Sequence, residues 1–166
     1  MKWGGRLFIA FGLLLLAAVI GGMVYTVAAK NAMNRYIEEI GIVLNAATMV
    51  NATETYLDEA RSVTAEWEGE TYVIAPENYK ALSNYLRTKC APVFFSRVDR
   101  ENALTITFCG EGRLIAKGFE GGDGASLLFE SRGEVFKMRI SGNGLWEKLL
   151  KVSTEGTTQF PNLRPR

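Results

Sequence analysis

The residues able to do chemistry are few in this chain. There is no histidine, which removes the commonest general base and the commonest transition-metal ligand together. Serine, cysteine and zinc hydrolases are excluded on that ground, and no catalytic, cofactor-binding or metal-ligating residue is assigned. Two cysteines, Cys90 and Cys109, are too few for a metal site without histidine. In an oxidising compartment such a pair is expected to be bridged. The bridge would close a loop of about 18 residues and contribute roughly 3 kcal/mol in the chain-entropy picture. A hairpin pairing Val98 with Ala103 would bring Cys109 opposite Pro92 and so close to Cys90.

The remaining polar groups read as surface and turns. Glu120 and Asp123 supply two carboxylates, against the six to eight oxygens that calcium takes. Glu38/Glu39, Asp58/Glu59 and Glu66/Glu68 lie along helical or turn segments, with no sign of the facing pair that glycoside hydrolysis needs. Ser141-Gly142-Asn143-Gly144 precedes a helix and lacks both P-loop and Rossmann spacing, so it reads as a loop and cap. Asn51-Ala52-Thr53 has the glycosylation spacing but falls in a helical stretch. Gly121-Gly122-Asp123 resembles the hairpin of cyclic dinucleotide synthases over those three residues only, and Gly124 stands where an acid should follow. A glycine-rich turn accounts for it.

What positions these groups begins with residues 7–29, LFIAFGLLLLAAVIGGMVYTVAA, a run without charge. About 20 such residues cross a hydrocarbon core about 30 Å thick. Lys2 and Arg6 precede the run and no acid does, so the basic bias predicts residues 1–6 in the cytoplasm, 7–29 as a single-pass membrane anchor in contact with lipid, and the rest extracytoplasmic. Val27-Ala28-Ala29 also offers a signal-peptide cleavage site, but the run exceeds the usual 7–15 apolar residues of such a peptide. Ala17/Gly21 and Ala18/Gly22 have a spacing that permits close helix approach, leaving a homo-oligomer open. Setting aside Lys2 and Arg6, 17 basic residues face 18 acidic ones, and no run of Lys and Arg marks a nucleic-acid partner.

The anchor continues without a breaker into residues 30–65, expected as a juxtamembrane helix. Met33, Ile40 and Ala47 form one apolar row and Tyr36, Val43, Val50 and Leu57 a second. Fewer than four clean heptads favours packing on the chain's own domain over a coiled coil. Residues 66–152 are expected to form an extracytoplasmic α+β domain. Glu66–Thr71 reads as a polar break, and Tyr72-Val73-Ile74 as a short strand-like piece. Pro76 opens a short helix carrying Tyr79, Leu82 and Leu86. A five-stranded antiparallel meander then runs through Val93–Val98, Ala103–Cys109, Arg113–Phe119, Ser126–Glu130 and Glu134–Ile140. Leu145–Val152 forms a short C-terminal helix, and residues 153–166 an aperiodic tail expected to be mobile.

A short basic leader ending in Gly5, then a membrane helix entering an antiparallel sheet, resembles the layout of type IV pilins and type II secretion pseudopilins. The resemblance is confined to layout. The family's Phe-Thr-Leu-Ile-Glu after that glycine is Arg6-Leu7-Phe8-Ile9-Ala10 here. The function expected is that of a non-enzymatic anchored domain acting through protein contacts, in an envelope assembly or as an accessory subunit. The alternative is a small-ligand or envelope-polymer binding module that uses the exposed side of the sheet.

Overall fold

The computed structural model describes residues 3–53, 62–93 and 99–155. Its class is α+β, as the sequence predicts, with a long N-terminal helix, shorter helices and one antiparallel sheet. Helix α1 (Trp3–Thr53) is continuous over 51 residues, about 77 Å at 1.5 Å per residue. Its first half exposes Phe8 through Val27 all round and is long and apolar enough to cross a membrane. Its second half buries Tyr36, Ile40, Val43, Leu44 and Ala47, the stripe that a 3.6-residue period puts on one side.

The sheet has seven strands: β1 (Val63–Trp67), β2 (Glu70–Val73), β3 (Ala91–Pro92), β4 (Asp99–Phe108), β5 (Gly112–Phe119), β6 (Gly124–Ser131) and β7 (Glu134–Ser141). Their spatial order is β2-β1-β4-β5-β6-β7-β3. Two shorter helices complete the chain: α2 (Tyr79–Arg87), entered through a 3-10 turn at Pro76–Asn78, and α3 (Leu145–Thr154). On β4 to β7 the inward residues Leu104, Ile106, Phe108, Leu114, Ala116, Leu127, Phe129, Met138 and Ile140 are buried, while their neighbours face out, as period-two alternation requires.

All three helices lie on the inner face. Tyr36 of α1 meets Phe129 edge-on at 6.0 Å between ring centroids, and Phe129 meets Phe108 at 5.9 Å. The Tyr36 hydroxyl donates to the carbonyl of Leu86 at 2.9 Å, tying α1 to α2. On the other side Trp146 of α3 packs on Trp67 at 5.7 Å. Gly118 lies beneath it, where a Cβ would come within 2.4 Å of the indole. Met33, Tyr36, Ile40, Val43 and Ala47 of the heptad-like rows therefore pack into the chain's own core, while Leu57 lies outside the described residues.

Several boundaries differ from those the sequence suggests. The helix expected through residue 65 stops earlier, because residues 63–67 form β1. This strand pairs with β2 on one side and β4 on the other. The polar break is a two-residue turn in which Trp67 pairs with Glu70. Glu68 and Gly69 both take positive φ there, the geometry that two-residue hairpins prefer. The meander is thus the central part of a seven-stranded sheet. A short strand, Ala91–Pro92, pairs on the β7 edge just before the expected first strand Val93–Val98, of which residues 94–98 lie outside the described residues. Ser153 and Thr154, assigned to the tail, belong to α3, and Ser153 is fully buried. Residues 156–166 of the tail lie outside the described residues.

Candidate functional site

The two cysteines do not meet. Cys90 precedes β3, whose Ala91 pairs with Arg139, and Cys109 follows Phe108, which pairs with Gly112 at the other end of the sheet. Four strand spacings separate β4 from β3. At about 4.8 Å each that is roughly 19 Å, far beyond the ~7 Å at which Cα atoms can be bridged. The two cysteines are not joined in a disulfide. The expected disulfide fails because β4 pairs with β5 and β1, not with the segment after Cys90. Burial pushes both thiols above their ordinary pKa, so neither is a ready thiolate.

The glycine-rich loops are structural. The carbonyl of Asp123 accepts from Gly142 N–H at 2.8 Å, and that of Gly122 from Trp146 N–H at 3.1 Å. Leu145 N–H donates to Gly142. The amides of Gly142, Leu145 and Trp146, at the loop and the start of α3, are thus committed inside the protein. Among the described residues, no three His, Cys, Asp or Glu side chains converge as a metal site.

Two arrangements that the linear sequence does not display emerge from the fold. The first is a polar clamp where α1 crosses the β6–β7 turn. Arg132 donates to both oxygens of Glu39, at 2.7 and 2.5 Å, and Ser131 donates to the same carboxylate at 2.9 Å. Arg35 pairs with Glu134 one helical turn away. The Arg132 hydrogen bonds, chiefly, hold the Glu39 carboxyl below its usual pKa. A bidentate guanidinium–carboxylate pair fixes orientation as well as proximity, so the clamp sets the angle between the helix and the sheet.

The second is the outer face of the sheet, on which no described helix packs. The registers Ala103↔Lys117↔Ser126↔Arg139, Thr105↔Ile115↔Leu128↔Lys137 and Thr107↔Arg113↔Glu130↔Val135 lay three rows across it. Arg113, Lys117, Lys137 and Arg139 are exposed, as are two carboxylates, Glu130 and, where the middle row continues onto β1 opposite Thr105, Glu66. Four cations spread over 27 residues of sequence become a patch because successive hairpins stack them. The cue in the sequence is the alternation Lys137–Arg139 two strands from Lys117, visible only once the hairpin registers are assigned.

The chain matches no protein-family model, no curated protein and no solved structure.

Proposed function

We propose that this chain is a membrane-anchored domain that works through protein contacts, presenting the outer face of its sheet to an acidic surface on a partner. The observation that carries this reading is the concentration of cations on β5 and β7 of that face, where Arg113, Lys117, Lys137 and Arg139 are exposed against the carboxylates of Glu130 and, on β1, Glu66, in a chain whose net charge is only +1. Complementary charge of this kind steers encounter and fixes register more than it adds affinity. The continuity of α1 supports the anchored half of the reading. Tyr36, the first fully buried residue, lies seven residues past Ala29, about 10 Å along the helix, so no flexible linker separates span from domain. In this arrangement residues 7–29 lie in lipid and the sheet is extracytoplasmic.

A second reading keeps the face and changes its occupant to an anionic envelope polymer, which the same four cations favour. The test is site-specific photo-crosslinking from Ser126 or Leu128 in native membranes. It compares the wild-type chain with the double variant Lys117→Glu, Arg139→Glu. A discrete protein adduct lost in the double variant supports the first reading. A polydisperse, protease-resistant adduct lost in the same way supports the second. Identical adducts from both chains, or none from either, remove the face as a contact site.

A further inference from the structure

The opposite side of the molecule carries a different kind of site. Helices α1 and α2 leave between them a groove of about 340 Å³. Gly41, Asn45 and Thr48 line it from α1, and Lys80, Asn84 and Arg87 from α2. Each trio follows an i, i+4, i+7 spacing, which sets its members along one side of its helix. Among the described residues, the only charged side chains lining the groove are the two cations.

Arg87 is the unusual member. It is half-buried, its Nε is buried without a hydrogen-bond partner, and no carboxylate among the described residues pairs with it. Partial burial of an uncompensated cation costs stability. The helix gives up more to keep it there. A Cβ on Gly41 would stand 2.6 Å from the Arg87 Nη2, so a glycine in mid-helix, about 1 kcal/mol worse than alanine for helix stability, makes room for the guanidinium. The tyrosine hydroxyl nearby offers no compensation, since Tyr36 donates to Leu86 and burial raises its pKa, keeping it neutral. Thr48 has its proton on the Leu44 carbonyl, whereas the side-chain amides of Asn45 and Asn84 supply N–H donors.

We propose that the α1–α2 groove is an oxyanion site, taking the phosphate or carboxylate group of a small ligand. Arg87 receives the anion on its planar fork, Lys80 adds the second positive charge from two turns earlier on α2, and the Asn45 and Asn84 amides complete the shell. The site shares no residue with the outer face of the sheet and does not depend on how that face is used.

The test is isothermal titration of the full-length chain in non-ionic detergent micelles with inorganic phosphate and, separately, with acetate. Saturable binding of one anion or both is expected. Arg87→Gln should weaken it at least about tenfold, the equivalent of one charge-assisted hydrogen-bonded contact. Lys80→Gln, at an exposed position that cannot unfold the protein, should weaken it severalfold. The ligand-free Arg87→Gln protein should melt no lower than wild type, since an unpaired cation has been removed. Binding of phosphate alone identifies a phosphate ligand, and binding of acetate alone a carboxylate. The absence of saturable binding of either anion by the wild type, or equal binding by wild type and both variants, overturns the proposal.

Discussion

Ile40→Ala separates a helix that seals its own domain from one that joins several copies. Ile40 is fully buried in α1, within the stripe from Tyr36 to Ala47 that faces the sheet. The substitution deletes three carbons. At roughly 0.8 kcal/mol per buried methylene, the transfer part alone is about 2.4 kcal/mol. Whatever cavity does not collapse adds about 24 cal/mol per Å³, giving a total of about 2–5 kcal/mol. Collapse is resisted on one side by the Tyr36–Leu86 hydrogen bond and on the other by the Glu39–Arg132 clamp, which hold the helix at a fixed distance, so the upper half of that range is expected. The assay is thermal and urea unfolding of the full chain in micelles, followed by near-ultraviolet circular dichroism. Met49→Ala, at a residue 72% exposed on the same helix, is the control. At about 4 °C per kcal/mol the melting midpoint should fall by roughly 14–20 °C in Ile40→Ala and stay put in Met49→Ala. Equal and negligible shifts in both variants, with loss of intermolecular cross-linking in Ile40→Ala, would refute the self-packed helix.

Three further outcomes follow from the geometry. Gly118→Ala drives a methyl into the fully buried Trp146 ring and should cost about 1–3 kcal/mol, with a change in tryptophan fluorescence; an unchanged melt and spectrum would mean that the indole has room to move. Glu39 has its pKa lowered chiefly by Arg132, so its contribution is complete above the ordinary carboxylate value near 4.5 and disappears as pH falls through the lower folded value. Glu39→Gln should therefore be slightly less stable than wild type at pH 7, with a difference kept small by solvent screening of the exposed Arg132, and the gap should close in acid; a gap that widens on acidification contradicts the clamp. Thiol titration of the unfolded chain without reductant should count two thiols, and in the folded chain the half-buried Cys109 should react before the buried Cys90; two thiols appearing only after reduction would contradict the separation of the cysteines.

Those parts of the fold governed by local periodicity were legible in the sequence. The alternation of Leu104, Ile106 and Phe108 with threonines, and of Phe136, Met138 and Ile140 with cations, assigned both strands and their buried faces. Pro76 and the Tyr79/Leu82/Leu86 row did the same for α2. What remained hidden depended on pairing across long separations. Val63–Trp67 is five residues long, follows a long helix, and is held between β2 and β4; nothing in Val-Thr-Ala-Glu-Trp selects β4, some forty residues later, as its neighbour. The cysteines were misjudged for the same reason. Local spacing suggests a hairpin between adjacent segments, whereas β3 lies on the β7 edge and β4 on the far side of β5. The basic face and the Lys80–Asn84–Arg87 row are likewise products of register and helical phase.

The clamp, the aromatic contacts and the helix share one mechanical consequence. A 51-residue helix that carried its domain on a loose joint would let the sheet sample every orientation above the membrane. Here Tyr36 is buried among Phe129 and Phe136, and Glu39, nearly one turn later, is held by Arg132 and Ser131 from the β6–β7 turn. Two contacts on nearly the same side of the helix, one apolar and one polar, oppose both rolling and sliding of α1 across the sheet. The direction of the apolar N-terminal half of α1 therefore fixes the direction of the basic face. Because that face lies across the sheet from α1, it is open from the side away from the helix, the side from which the proposed partner would approach. Breaking the clamp should weaken partner cross-linking more than it weakens folding, since orientation is lost before the core opens. Glu39→Gln tests this directly when cross-linking yield from Ser126 is read beside the melt, and a yield that falls only in proportion to the unfolded fraction would show that orientation plays no part.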